Sequence, residues 1–304
     1  MPVNTEYRRF LDPVFLKTLK NMEVAARFLV DGMYASRHRC PFYGYSVEFK
    51  DLREYVQGDD PRSIDWKMFA RTEKVYVKRF EMESNMDVMT LLDVSASMGY
   101  QSPFDKRRLT KIEFGRFLAA GISYLVNNQQ DSAGLMTFDT ELRAFLPCRQ
   151  GRRHLNAILI TLDQARSSDR TAVDLVLQKA GMRLKRRGLV ALISDCYGNT
   201  DDIVSAIRLL RARGQDTIVF HVADDDEINL PFDMLTSFHD METNREVMCD
   251  PVRQKRHYVQ RFQALRDKLA KGCAECGADY VFAQTSQPIE MVLRDYLIFR
   301  RARG

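Results

Sequence analysis

Long apolar runs are missing from this 304-residue chain. No stretch reaches the ~18 consecutive apolar residues that a membrane-spanning helix needs. The opening Met1-Pro-Val-Asn-Thr-Glu-Tyr-Arg-Arg9 also lacks the apolar core of a secretory signal, so the expected address is the cytoplasm. Cysteine is sparse: Cys40, Cys148, Cys196, Cys249, Cys273 and Cys276 follow no disulfide-framework spacing, which favours reduced thiols. Cys273-Ala-Glu-Cys276 has no second CxxC or paired His to complete a zinc site. None of the five histidines, His38, His154, His221, His239 and His257, stands at ligand spacing from another, and each reads as structural or solvated.

A dominant sign of charge is absent too. The 46 Lys and Arg nearly balance 41 Asp and Glu, leaving a net +5 spread over many segments. A dedicated nucleic-acid binder concentrates its basic charge beside stacking aromatics, so a weakly basic nucleic-acid-associated protein stands only as an alternative. The Gly-rich and nucleophile motifs of common enzymes are missing: no Gly-x-Ser-x-Gly elbow, no Gly-x-x-x-x-Gly-Lys phosphate loop, no Gly-x-Gly-x-x-Gly after the first strand.

With 45% hydrophobic residues, the chain can bury one substantial core and a smaller second lobe. Asp12-Pro13 starts a helix that carries Phe15, Leu19, Met22, Ala26 and Leu29 on one face up to Gly32. Residues 33–50, with Pro41 and Gly44, read as a loop-like wrapping segment, and Val75 to Glu83 as a half-exposed strand leading into the main sheet. Strands are expected near 87–93, 133–138, 141–146, 189–194, 217–222 and 279–283, with helices near 110–127 and 200–213, over 253–271, and after Pro288. Thr110-Lys-Ile-Glu113 is a capping box, Gly214 follows a helix it should terminate, and Asp224 to Phe232 reads as a loop. This alternation implies a mostly parallel sheet with helices on both faces, in a domain from 85 to 304 preceded by an accessory segment, 1–84.

The most informative feature is Asp93-Val-Ser95-Ala-Ser97, directly after the apolar run Val88-Met-Thr-Leu-Leu92. One carboxylate and two hydroxyls leave the carboxyl end of a buried strand, where open α/β sheets bind ligands, and these oxygens suit a hard cation. Such an ion takes about six oxygens, so further donors belong downstream. Leu189-Val-Ala-Leu-Ile-Ser-Asp195 repeats the pattern of an apolar strand ending in Asp, and Thr171 opens a helical segment. With these motifs the chain resembles the von Willebrand factor A fold, whose metal-ion-dependent adhesion site combines an Asp-x-Ser-x-Ser run with a later Thr and a later Asp. The resemblance assigns Asp93, Ser95, Ser97, Thr171 and Asp195 as ligands of Mg²⁺ or Mn²⁺. Cys196 and Arg170 stand where that fold commonly has Gly, and Ser167 and Ser168 are neighbours able to substitute for Thr171.

A second signature precedes the strand: Gly58-Asp59-Asp60-Pro-Arg62-Ser-Ile-Asp65-Trp66, followed by Arg71. With the Asp-x-Ser-x-Ser strand end, it resembles the domain of unknown function 58 family over most of the chain. The charged residues around the single Trp form either an ion-pair network that fastens the accessory segment or a docking face. Packing of Trp66 beside Ile64, Met68 and Phe69 favours the first.

An ion held by neutral hydroxyls and one or two carboxylates keeps positive charge and an exchangeable position, which a partner's Asp or Glu can fill. The expected function is therefore metal-dependent protein binding without catalysis. Resemblance implies a MoxR-type AAA+ ATPase as partner and a role in maturation or assembly of client proteins. The alternative is a Mg²⁺- or Mn²⁺-dependent hydrolase built on Asp93 and Asp195. An aspartyl-nucleophile phosphatase would want a second Asp where Ser95 stands.

Overall fold

The computed structural model describes residue 10 and residues 47–56, 64–82, 86–167, 172–184, 186–243 and 245–303. The expected helix over 12–32, the signature residues Gly58, Asp59, Asp60 and Arg62, and Ser168 and Thr171 lie outside them. The described residues fall into two compact units, one holding residues 47–82 and the other holding Phe10 with residues 86–303.

In the smaller unit, β1 (Val47–Glu54) pairs antiparallel with β2 (Tyr76–Met82). The strand expected to lead into the main sheet thus belongs to a separate two-stranded sheet, and the loop expected up to residue 50 gives way to strand at Val47. Helix α1 (Trp66–Thr72) lies between them, its N-terminus capped by Asp65, whose carboxylate accepts the N–H of Lys67 and Met68. Asp65 is thus a helix cap.

The larger unit is built on a six-stranded sheet. Its members are β3 (Asp87–Asp93), β4 (Ser132–Phe138), β5 (Leu142–Arg149), β6 (Gly188–Ser194), β7 (Asp216–Ala223) and β10 (Asp279–Gln284). The spatial order is β10-β7-β6-β3-β4-β5, parallel throughout except for the antiparallel edge strand β5. Side chains alternate across β3: Val88 and Leu92 enter one core, Met89 and Leu91 the other. The first core is closed by α2 (Lys111–Asn128), α3 (Arg152–Gln164) and α8 (Ile289–Arg303). The second is closed by α4 (Val173–Arg183), α5 (Thr200–Ala212) and α7 (Pro251–Glu275). A sheet buried on both faces explains why its strands read as continuous apolar runs. This is a mixed α/β architecture, a mostly parallel sheet covered by helices on both faces.

Three elements of the larger unit depart from the sequence reading. The loop expected from Asp224 contains α6 (Asp225–Asn229), started by a capping box between Asp224 and Glu227. The following stretch forms an antiparallel pair, β8 (Thr236–His239) with β9 (Glu246–Cys249).

What positions the site is the order of strands. From β3 the chain passes to β4 on one side, and β6 then returns to pair on the other side of β3. The carboxyl ends of β3 and β6 therefore flank the topological switch point, where the connections diverge and leave a crevice.

Candidate functional site

Asp93 is the last residue of β3, and Asp195 follows the last residue of β6. The two strands run parallel and in register from Asp87 opposite Gly188 to Leu92 opposite Ile193, so both acids emerge at the same edge. Asp93 is fully buried and Asp195 nearly so.

The Asp93 loop is organised by its own hydrogen bonds. The Ser95 N–H donates to Asp93 Oδ1 at 2.9 Å, and the Ser95 and Ser97 hydroxyl oxygens lie 3.0 Å apart. Ser97 opens a 3-10 turn, Ser97–Gly99, that turns the chain away from the sheet. From β6, the Ser194 hydroxyl donates to Asp93 Oδ2 at 2.6 Å and thereby joins the two strand ends. Burial, and then the charge of Asp195, push the Asp93 carboxyl up to about 7, against the hydrogen bonds from Ser194 and Ser95.

Asp195 is held from the other side. Lys111, the first residue of α2, is fully buried, and its ammonium donates to Asp195 Oδ2 at 2.7 Å and to Glu227 Oε1 at 2.6 Å. Burial alone would lower the lysine; the Asp195 and Glu227 carboxylates more than offset it and hold the ammonium strongly charged. Tyr197 completes the group. Its hydroxyl donates to Glu227 at 3.0 Å, its ring lies under the ammonium at 4.8 Å, and its N–H reaches Asp195 Oδ1 at 3.4 Å. Between Asp195 and Tyr197, Cys196 has φ of +54°, the left-handed conformation that glycine takes most easily.

Around this centre, Arg108 and Tyr100 fasten the acidic α6. Arg108 lies 3.3 Å from Asp226 Oδ1 and 3.6 Å from Asp224 Oδ1, and the Tyr100 hydroxyl donates to Asp226 Oδ2 at 3.0 Å. His221, buried on β7, shares a 2.7 Å hydrogen bond between Nδ1 and the Tyr280 hydroxyl, and burial pushes its pKa down to about 4.

Of the five residues assigned by resemblance, Asp93, Ser95, Ser97 and Asp195 gather at one end of adjacent strands, and Thr171 lies outside the described residues. Ser167, its possible substitute, lies beside the same turn: a Cβ on Gly99 would stand 2.6 Å from the Ser167 hydroxyl. The donors are all oxygens, two neutral hydroxyls and two mutually repelling carboxylates, and that chemistry fits a hard divalent cation. Among the described residues no three His, Cys, Asp or Glu side chains form a metal-ligating cluster, so an ion here would depend on the hydroxyls. Of the second signature, Trp66 is 63% exposed, its ring edge-on to Phe69 at 6.1 Å between centroids. The expected packing beside Ile64, Met68 and Phe69 thus leaves most of the ring exposed. Arg71 lies in the last turn of α1.

Sequence reasoning missed Ser194, Lys111, Glu227 and Tyr197. Ser194 had a signal, standing between an apolar strand and a singled-out Asp; the others are brought in by the fold.

Comparison with known proteins places these residues in a wider group. The family model of Protein of unknown function DUF58 matches residues 51–268. An uncharacterized protein of Mycobacterium tuberculosis and one of Mycobacterium bovis are each 24% identical over 281 residues, covering 91% of this chain and 86% of theirs. Similar solved structures include an aerotolerance-related membrane protein from Bacteroides fragilis, 14% identical with a TM-score of 0.49 over 72% of this chain and 100% of that one. The conserved hypothetical protein BatB from Bacteroides thetaiotaomicron is 17% identical, with a TM-score of 0.47 over 72% of this chain and 100% of that one. The SpRpn10 VWA domain is 9% identical, with a TM-score of 0.40 over 69% of this chain and 94% of that one.

Proposed function

The chain belongs to the DUF58 family, and from that premise we propose that it is a metal-dependent protein-binding module that acts without catalysis. The observation that carries the reading is the meeting of Asp93, Ser95 and Ser97 with Asp195 at the switch point of the sheet. Mg²⁺ or Mn²⁺ would be held by Asp93, Ser95 and Ser97, with Asp195 acting directly or through water, and Thr171 or Ser167 as a further hydroxyl. An ion there offsets the burial and the Asp195 repulsion that together raise Asp93, and offers an electrophilic position to a carboxylate from outside. The chain's residues orient the Asp93 donors: Ser194 fixes one Asp93 oxygen and the Ser95 N–H the other.

The partner supplies an exposed Asp or Glu. Family resemblance makes a MoxR-type AAA+ ATPase the first candidate, with the chain as adaptor between that ATPase and client proteins under maturation or assembly. The test is co-purification of the tagged full chain from its native cell with Mg²⁺ or with chelator, beside the Asp93→Ala chain. The proposal expects an AAA+ ATPase retained only by wild type with Mg²⁺. Retention that ignores both chelator and substitution contradicts metal-dependent docking. A panel of phosphate and ester substrates with Mg²⁺ and Mn²⁺ should show no turnover above background; turnover removed by Asp195→Ala would make the chain a hydrolase.

A further inference from the structure

Lys111 places a cation on a carboxylate assigned to the ion. Its side chain is fully buried, and its ammonium is 2.7 Å from Asp195 Oδ2. A buried ammonium needs close anionic partners, and this one has two: Glu227 Oε1 lies at 2.6 Å. Resting on the metal reading above, we propose that Lys111 is a tethered cation that competes with the divalent ion for Asp195, and that Glu227 retains the ammonium when Asp195 turns to the ion.

The geometry supports exchange in place. Lys111 begins α2, the next helix after the Asp93 loop, and so one segment carries the ion's donors at one end and the ion's competitor at the other. Two cations on one carboxylate repel strongly in a site of low polarity. Glu227 lowers that cost, being 13% exposed and tied to Tyr197 by a 3.0 Å hydrogen bond. The affinity for the ion is therefore set below what the oxygen donors alone would give, and filling the site shifts the ammonium toward α6. The capping box that starts α6 includes Glu227, so occupancy is felt at the Asp224–Glu227 turn.

Titration of Mn²⁺ alone into the full chain by calorimetry separates the possibilities, with wild type, Lys111→Met, Glu227→Gln and Asp93→Ala compared. Lys111→Met should bind Mn²⁺ about tenfold more tightly or better, and its melting temperature should rise more with Mn²⁺ than wild type does. Glu227→Gln should bind several-fold more weakly, because the ammonium then rests on Asp195 alone. Equal or weaker binding by Lys111→Met overturns the competition. If Lys111→Met fails to fold, Glu227→Gln decides alone, and unchanged or tighter binding there overturns it. The two readings fail differently: Mn²⁺ affinity indifferent to Asp93→Ala removes the metal site itself, whereas loss in Asp93→Ala with no gain in Lys111→Met removes only the role of Lys111.

Discussion

His221 gives the clearest residue-scale consequence. Burial holds it near 4 in the fold, against an ordinary 6.5, with Lys111 and Arg266 also lowering it and Asp195 opposing. The folded protein thus binds fewer protons than the unfolded chain between those values. The stability from neutral His221 is complete above about pH 6.5 and is lost as pH falls toward 4, amounting to ~3 kcal/mol at most. Asp93 acts with the opposite sign in the ion-free protein: its raised pKa favours the protonated fold and withdraws stability as pH climbs toward about 7. Comparing urea unfolding of wild type and His221→Phe at pH 7 and pH 4.5 isolates the first effect, and the substitution should reduce the acid-induced loss by ~2–3 kcal/mol. An identical loss in both proteins would exclude His221 as its source. Legibility at this scale follows chemistry: Asp93 and Asp195 are readable because each closes an apolar run, and Ser95 and Ser97 because they stand at alternate positions after Asp93. Lys111 is not, because a lysine in the first turn of a helix ordinarily faces water, and only the fold turns it inward between two carboxylates.

Among elements, the register of β6 on β3 matters most, because it brings Asp195 to the level of Asp93. Gly188 opens β6 against the backbone of Asp87: a Cβ there would stand 2.1 Å from the Asp87 carbonyl oxygen. Backbone cannot yield as a side-chain tip does, so Gly188→Ala should cost ~2 kcal/mol or more. Denaturant unfolding checks it, and a midpoint equal to wild type would mean that the strands do not approach this closely. Thr110 caps α2 and forms a capping box with Glu113, so Thr110→Ala should cost ~1 kcal/mol in the same measurement. The sheet strands and long helices were readable because burial on both faces writes apolar runs and caps write Thr110 and Gly214. β8 and β9 were not readable, since four-residue strands with exposed Val247 and Met248 carry little period. α6 was hidden by four consecutive acids, Asp224 to Glu227, that suggest a loop, although Asp224 and Glu227 have capping-box spacing.

For the molecule as a whole, the smaller unit tests whether the single Trp serves stability or contact. With Trp66 63% exposed, Trp66→Ala should move the melting temperature by no more than a few degrees, and a fall of ten degrees would mean that the ring is packed. The fold class was legible from alternation alone. The surroundings of Trp66 were not, because apolar neighbours in sequence, Met68 and Phe69, do not by themselves make a core. Among the described residues no helix is long and apolar enough to cross a membrane. The central claim is that Asp93, Ser95, Ser97 and Asp195 hold a divalent ion, and calorimetric titration of Mg²⁺ into wild type and Asp93→Ala tests it most directly. The account predicts a single saturable site in wild type and none in Asp93→Ala, with the far-ultraviolet circular dichroism of the two proteins superimposable. Equal Mg²⁺ binding by both, or none by a folded wild type, would contradict it.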